Sequence, residues 1–121
     1  MKCTIDEVRI DPCPMDENTK ACVIKRGTEA SMAIDFTPDF DGSDVQFMAY
    51  GIIMGEPVAF KDMNPNACLY TSCPVASGSK QTYNYSLKLS KAYPKSTVNV
   101  KWIMSSGGVD KCCFMNKIKM K

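Results

Sequence analysis

Seven cysteines limit the folds open to this chain more than any other feature of its sequence. They are Cys3, Cys13, Cys22, Cys68, Cys73, Cys112 and Cys113. The two close pairs can each close a small loop, and a cysteine near each terminus can join the first strand to the last. Such frameworks are typical of exported proteins, whose thiols are oxidised. We therefore expect a secreted, extracellular protein, with the lysosome as the alternative location.

The length and composition are those of one globular domain. The chain has 121 residues, and 45% of them are hydrophobic, which is ample for a packed core. Cysteine is too sparse for a pure disulfide scaffold, so the bridges are expected to brace a packed fold. We predict a single domain over residues 1–121.

Charge and hydropathy argue against nucleic-acid and membrane-spanning functions. Fifteen basic and 13 acidic residues give a net charge of +2, and the two signs are mixed along the chain. No strong positive field is available to attract a phosphate backbone, so nucleic acid is not an expected partner. No apolar run approaches the roughly 20 residues needed to cross a bilayer. The start Met1-Lys2-Cys3-Thr4 lacks an apolar signal region, so we take the chain as mature protein.

The chain contains no histidine. This removes the commonest general base and the commonest metal ligand, so we predict no enzyme, no catalytic residue and no cofactor. Zinc is the alternative use of the two close cysteine pairs, but their spacings fit the usual gaps of structural zinc sites poorly. We therefore predict disulfides and no metal site.

Apolar residues recur with period two, which is typical of β-strands with one buried face. Clear runs occupy residues 29–36, 82–90 and 97–104, and the segment 45–54 is more continuously apolar, as in a central strand. In that segment the inward set is expected to be Phe47, Ala49 and Ile53. Clusters of Pro, Gly, Asn, Asp and Ser separate the runs. The pattern predicts an all-β fold, a two-sheet antiparallel sandwich of about seven strands.

The same alternation bears on the terminal cysteines. Cys112 shares the inward parity of Phe114, whereas Cys113 has the outward parity of Lys117. We predict that Cys113 pairs with Cys3 and that Cys112 remains a free thiol in the apolar wall. A bridge closing about 100 residues contributes roughly 4.7 kcal/mol in the chain-entropy model.

Several motifs follow one another in a specific order. They are Cys22-Val23-Ile24-Lys25-Arg26-Gly27, Gly51-Ile52-Ile53-Met54-Gly55-Glu56-Pro57-Val58-Ala59-Phe60, Asn64-Pro65-Asn66-Ala67-Cys68-Leu69-Tyr70-Thr71-Ser72-Cys73-Pro74, Tyr83-Asn84-Tyr85, Tyr93-Pro94 and Trp102. This order resembles the ML lipid-recognition domain, as found in the Niemann-Pick type C sterol carriers and the group 2 house-dust-mite allergens. The likeness covers nearly the whole chain.

The resemblance implies an immunoglobulin-like β-sandwich with an apolar cavity between its sheets, which holds a lipid without performing chemistry on it. It implies the disulfides Cys3–Cys113, Cys13–Cys22 and Cys68–Cys73. It also places Phe60, Leu89, Tyr93 and Pro94 at the cavity mouth, with Val58 and Trp102 deeper. The expected ligand contacts are Ile24, Met32, Ile34, Ala49, Ile53, Val58, Phe60, Leu89, Tyr93, Pro94, Val98, Val100, Trp102, Phe114 and Ile118.

These expectations favour a monomeric lipid carrier for a sterol, a fatty acid or a similar ligand, which it releases to a membrane or a receptor. Such a carrier needs a cavity of about 300 to 1,000 Å³. A fully packed core would give the same alternation of residues, and the resemblance decides in favour of the cavity. The alternative function is an innate-immune module that presents a microbial lipid to a receptor.

Two further features are expected at the surface of the protein. Asn84-Tyr85-Ser86 is a glycosylation sequon on the polar face of its strand. Lys111, Lys117, Lys119 and Lys121 give the C-terminal strand a basic character. We interpret these lysines chiefly as protection of an exposed strand, with attraction to anionic headgroups as the alternative.

Overall fold

The computed structural model describes residues 2–60 and 63–121, so Met1 and the pair 61–62 lie outside the description. Nine strands and one 3-10 helix, Ala67–Leu69, occur in the described ranges, and no α-helix does. The strands are β1 (Cys3–Asp11), β2 (Met15–Asp16), β3 (Ala21–Ile24), β4 (Glu29–Pro38), β5 (Val45–Ile53), β6 (Glu56–Ala59), β7 (Gln81–Lys88), β8 (Ser96–Ser106) and β9 (Val109–Met120).

The strands form two sheets. One has three strands in the order β1-β4-β7, and the other has six in the order β2-β3-β9-β8-β5-β6. Neighbouring strands are antiparallel except β3 and β9, which run parallel. The predicted two-sheet sandwich is confirmed.

The buried faces follow the predicted alternation. In β4 the side chains of Ala30, Met32, Ile34 and Phe36 are buried, and in β8 the same holds for Val98, Val100, Trp102 and Met104. Burial of a large apolar side chain contributes about 1.5–3 kcal/mol, so these stripes supply the main driving force for packing the sheets.

The β5–β6 hairpin departs from one prediction. Val45, Phe47 and Ala49 face the core, but Ile53, which was expected to point inward, is 38% exposed. The strand ends there in a tight turn at Met54 and Gly55, both with positive φ, as hairpin turns of two residues require. Ile53 therefore lies at the rim of the sandwich.

Aromatic rings fill the interior between the sheets around Phe47. Its ring centroid lies 4.5 Å from that of Tyr83 in the facing sheet and 5.5 Å from that of Trp102. Phe114 stacks on Trp102 at 6.0 Å. The two sheets are therefore in direct contact at this level.

Three disulfides brace the fold, and one of them corrects a prediction. Cys13–Cys22 and Cys68–Cys73 form as expected. Cys3, however, pairs with Cys112, with Cα atoms 5.4 Å apart, so the predicted pairing with Cys113 is wrong. β1 and β9 belong to opposite sheets, so a bridge between them crosses the interior and requires the inward-facing cysteine. Cys113 is half-buried and belongs to none of the three disulfides.

The basic C-terminal strand does not lie at an edge of its sheet. β9 is flanked by β3 and β8, so its lysines do not protect an exposed edge, contrary to the interpretation made from the sequence. Lys119 instead donates a 2.8 Å hydrogen bond to Asp16 and ties β9 to the short edge strand β2.

Candidate functional site

An apolar cavity lies where the β5–β6 hairpin meets the turn at Tyr93 and the ends of β8 and β9. We call it the end cavity, and its volume is about 30 Å³. It is lined by Gly51, Ile53, Val58, Ala59, Phe60, Tyr93, Pro94, Val98 and Met120. Among the described residues that line it, Tyr93 alone carries a polar group on its side chain. Such a surface can hold hydrocarbon and offers almost nothing to a charged ligand.

Phe60 and Tyr93 close the end cavity. The Phe60 N–H donates a 3.1 Å hydrogen bond to the Ala49 carbonyl, which fixes the backbone just after β6. Its ring packs edge-on against Tyr93, with centroids 5.7 Å apart, and lies over Gly51, where a Cβ would sit 3.9 Å from the ring. Phe60 is only 7% exposed. Movement of these two rings would enlarge the cavity.

Arg26 holds the turn that carries Tyr93. Its Nη1 donates hydrogen bonds to the carbonyls of Lys91 at 3.0 Å and Tyr93 at 2.8 Å. The N–H of Gly27 donates to the Leu89 carbonyl and the Leu89 N–H donates to the Thr28 carbonyl, so the same β3–β4 turn fixes the end of β7. This role of Arg26 was not predicted from the sequence. The available signal was that Arg26 lies in the segment 22–27, one of the motifs that carry the family resemblance.

The rim of the end cavity is more exposed than the resemblance implied. Val58 was expected to lie deep, but it is 49% exposed, because β6 is the edge strand of its sheet and all four of its residues are exposed. Ile53 and Pro94 are also exposed at this rim. Six of the fifteen expected ligand contacts meet here: Ile53, Val58, Phe60, Tyr93, Pro94 and Val98.

The other nine expected contacts do not line the end cavity. Eight are buried in the core, and Phe114 is half-buried. The eight are Ile24, Met32, Ile34, Ala49, Leu89, Val100, Trp102 and Ile118. The structure therefore shows these side chains packed on one another in a closed sandwich.

The size of the end cavity differs from the size expected of a carrier. About 30 Å³ is the space of a single water molecule. A lipid site of about 300 to 1,000 Å³ needs at least ten times as much. A lipid can enter here only if side chains move and the sheets separate.

Polar groups inside the sandwich were missed by the sequence analysis. Asn116 on β9 accepts a 3.2 Å hydrogen bond from Trp102 Nε1. Its Nδ2 is buried and, like the buried hydroxyl of Tyr83, finds no hydrogen-bond partner in residues 2–60 and 63–121. Burial raises the pKa of Tyr83 well above its ordinary value, and Tyr85 and Tyr70 raise it further. Asn116 interrupts the apolar stripe of its strand, which was the available signal.

The sequon residue Asn84 lies at the surface, as expected. Asn84 is exposed on β7, and its glycosylation stays a prediction. Within the part of the chain that the structure describes, no group of three or more His, Cys, Asp or Glu side chains is arranged to hold a metal ion. In the same part, no helix has the length and apolar character needed to cross a membrane.

Fold and site together define a disulfide-braced β-sandwich with a small apolar site at one end of its six-stranded sheet. Comparison with known proteins identifies the family. A family model described as the ML domain matches residues 1–120, and the chain belongs to that family.

Two similar proteins come from insects. An MD-2-related lipid-recognition protein of Manduca sexta is 36% identical over 98% of this chain and 77% of its own length. The NPC intracellular cholesterol transporter 2 homolog a of Drosophila melanogaster is 33% identical over 88% of this chain and 72% of its own length. A crystal structure of a Niemann-Pick type C2 protein from Japanese carpenter ant has a TM-score of 0.87 at 23% identity, over 100% of this chain and 94% of that one. It shows the same fold.

Proposed function

We propose that this protein is a lipid carrier that binds one sterol, fatty acid or similar hydrophobic molecule between its two sheets. The end cavity is the observation that carries the proposal, because it is apolar, lies at one end of the six-stranded sheet and is bordered by the packed rings of Phe60 and Tyr93. The similar proteins named for lipid recognition and for cholesterol transport support the same ligand class.

The proposed binding requires the end cavity to expand toward the core. Ala49 and Gly51 present little side chain beneath Phe60, so movement of that ring frees space directly above β5. Met32, Met104 and Met120 lie on the inner faces, and unbranched methionine side chains adapt readily to a new shape. The expanded site would then take in several of the nine expected contacts that are now packed together.

Apolar burial is sufficient to provide the affinity. Each buried methylene contributes about 0.8 kcal/mol, and micromolar binding corresponds to about 8 kcal/mol. A long acyl chain or a fused ring system exceeds this figure and leaves a surplus to offset ordering and expansion of the site. Charged contacts are not required.

Export and transfer are the finer parts of the proposal. Three disulfides support an oxidising compartment, either the extracellular space or the lysosome. The tip of the β5–β6 hairpin is apolar and exposed beside the cavity, with Met54 98% exposed. This tip supports transfer of the ligand by direct contact of a monomer with a membrane or a receptor.

A variant that fills the end cavity tests the proposal. Val98→Trp places a large ring in the cavity, and we expect at least a tenfold loss of cholesterol and oleate binding in native mass spectrometry. Val109→Trp is the matched control, because Val109 is 56% exposed and does not line the cavity. Circular dichroism verifies that both variants fold. Unchanged affinity in folded Val98→Trp protein would refute binding at this site.

A further inference from the structure

A second and much larger depression runs along β3, beside the turn that closes the end cavity. We call it the β3 groove, and its volume is about 1010 Å³. It is lined by Pro12, Pro14, Met15, Val23, Ile24, Lys25, Arg26, Thr28, Glu29, Lys91, Lys95 and Lys121. This volume is at the upper end of the range typical of small-molecule sites.

The walls of the β3 groove are held in place by contacts distant in sequence. On one side, the disulfide Cys13–Cys22 and a 2.8 Å hydrogen bond from the Val23 N–H to the Pro14 carbonyl fix the segment 12–15 against β3. On the other side, Arg26 holds the turn 91–95 through its two carbonyl hydrogen bonds. The floor is completed where the Lys121 N–H donates to the Ile24 carbonyl at 3.0 Å.

The charge of the β3 groove is strongly one-sided. Among its described lining residues are five cationic side chains and one acidic side chain, that of Glu29, which is ion-paired with Lys88 at 3.7 Å. None of the five cations forms an ion pair with a residue in the described ranges, whereas Lys119 nearby is paired with Asp16. In addition, Arg26 Nε is buried without a hydrogen-bond partner there. The groove therefore has positive charge available for an anion.

An apolar strip runs between these cations. Met15 lies on the two-residue edge strand β2 and is 56% exposed. At this exposure its side chain contributes little to the core. Val23 is half-buried beside it, and Pro12 and Pro14 are exposed on the same wall. An inorganic anion would leave this strip in water, whereas an amphiphile would cover it and recover about 25 cal/mol per Å² of buried apolar surface.

We propose that the β3 groove is a second lipid site, which binds a single-chain lipid with an anionic headgroup. The carboxylate or phosphate lies among Lys25, Lys95 and Lys121, and the alkyl chain lies along Met15 and Val23. This site is separate from the proposed binding between the sheets, which needs no charge. The groove meets the end cavity at the turn 91–95, whose Tyr93 and Pro94 line the end cavity and whose lysines line the groove.

The test compares three probes that have the same alkyl chain and different headgroups: dodecanoate, dodecyl phosphate and dodecanol. Each probe is titrated into the protein below its micelle concentration, and binding is followed by the shifts of backbone amide NMR signals. We expect both anions to shift the amides of residues 15, 23–26 and 121, and to bind at least tenfold more tightly than dodecanol. The tighter of the two anions identifies the headgroup. Raising the salt concentration should weaken both, since exposed charges are screened.

A pair of charge-matched variants locates the site. Lys95→Glu/Lys121→Glu changes the groove, and Lys101→Glu/Lys117→Glu makes the same change in net charge on β8 and β9 outside it. We expect the groove variant to lose at least tenfold in dodecanoate affinity and the control to change less than twofold. Equal losses in both variants would show a general charge effect and overturn the inference.

Two further outcomes separate this inference from the carrier function. Shifts confined to Gly51, Phe60 and Val98, with equal affinity for dodecanoate and dodecanol, would leave the carrier intact and overturn the groove site. The charge change in Lys95→Glu/Lys121→Glu could instead weaken binding to vesicles containing phosphatidylserine while leaving the affinity for free dodecanoate unchanged. This result would assign the groove to membrane contact and would also overturn the groove site. Groove binding combined with no cholesterol binding would overturn the carrier alone.

Discussion

The orientation of two adjacent cysteines determines how the sheets are covalently joined. Cys112 is 2% exposed and faces the interior, where it meets Cys3 of the opposite sheet. Cys113 points to the other side of β9 and is half-buried. The parity of both residues was predicted correctly from the sequence. The pairing was not, because alternation along one strand does not reveal that its disulfide partner lies in the other sheet.

Serine variants of the two cysteines test this assignment. Cys113→Ser should retain all three disulfides, whereas Cys112→Ser should lose the bridge that closes the longest loop. Loss of a native disulfide typically costs about 2–5 kcal/mol of stability. Peptide mapping of the unmodified protein provides the direct check. A peptide that links Cys3 to Cys113 would contradict the structure.

The three strands of the smaller sheet are joined on their outer face by one carboxylate. Asp35 on β4 accepts hydrogen bonds from Arg9 of β1, at 2.6 and 2.9 Å, and from the Thr82 hydroxyl of β7, at 2.6 Å. These hydrogen bonds hold the pKa of Asp35 well below its ordinary value of 3.8, and the hydrogen bond from Arg9 has the largest effect. A carboxyl group with a lowered pKa stabilises the folded state above its ordinary pKa, and this stability is lost as the pH falls below it.

The pH dependence of stability therefore tests the role of Asp35. We expect Asp35→Asn to be less stable than the unmodified protein at pH 7, and the difference to shrink as the pH falls from about 4 toward 2. Urea midpoints at several pH values measure this difference. Asp44→Asn, at an exposed loop position, is the control with the same charge change. A difference that is constant across this pH range would contradict the assignment.

The sequence predicted the faces of the strands better than their partners. Period-two alternation identified the inward residues of β4 and β8 correctly, because one face of each of these strands is buried. It did not reveal that β9 lies between β3 and β8, since outward lysines occur on central and edge strands alike. The same limit applies to Val58, whose exposure follows from the position of β6 at a sheet edge. The residues at the cavity mouth were predicted from the family resemblance. The role of Arg26 and the β3 groove were not predicted, because both depend on contacts between residues distant in sequence.

For the whole molecule, the account depends on whether the sandwich opens. The aromatic contacts around Phe47 join the two sheets, and the end cavity holds only about 30 Å³. Alternation of apolar residues is the same in a packed core and in an empty one, so the sequence could not reveal this closed state. A ligand that enters must separate packed side chains, and the free energy of its own burial must exceed that cost.

The single tryptophan of the chain provides the most direct test of this opening. Trp102 is fully buried between the sheets and does not line the β3 groove. Bromine quenches indole fluorescence at short range, so 9,10-dibromostearate bound between the sheets should quench Trp102, and stearate should not. Lys95→Glu/Lys121→Glu protein, in which the groove is impaired, should show the same quenching. Saturable binding of dibromostearate that leaves the Trp102 emission unchanged would contradict the account.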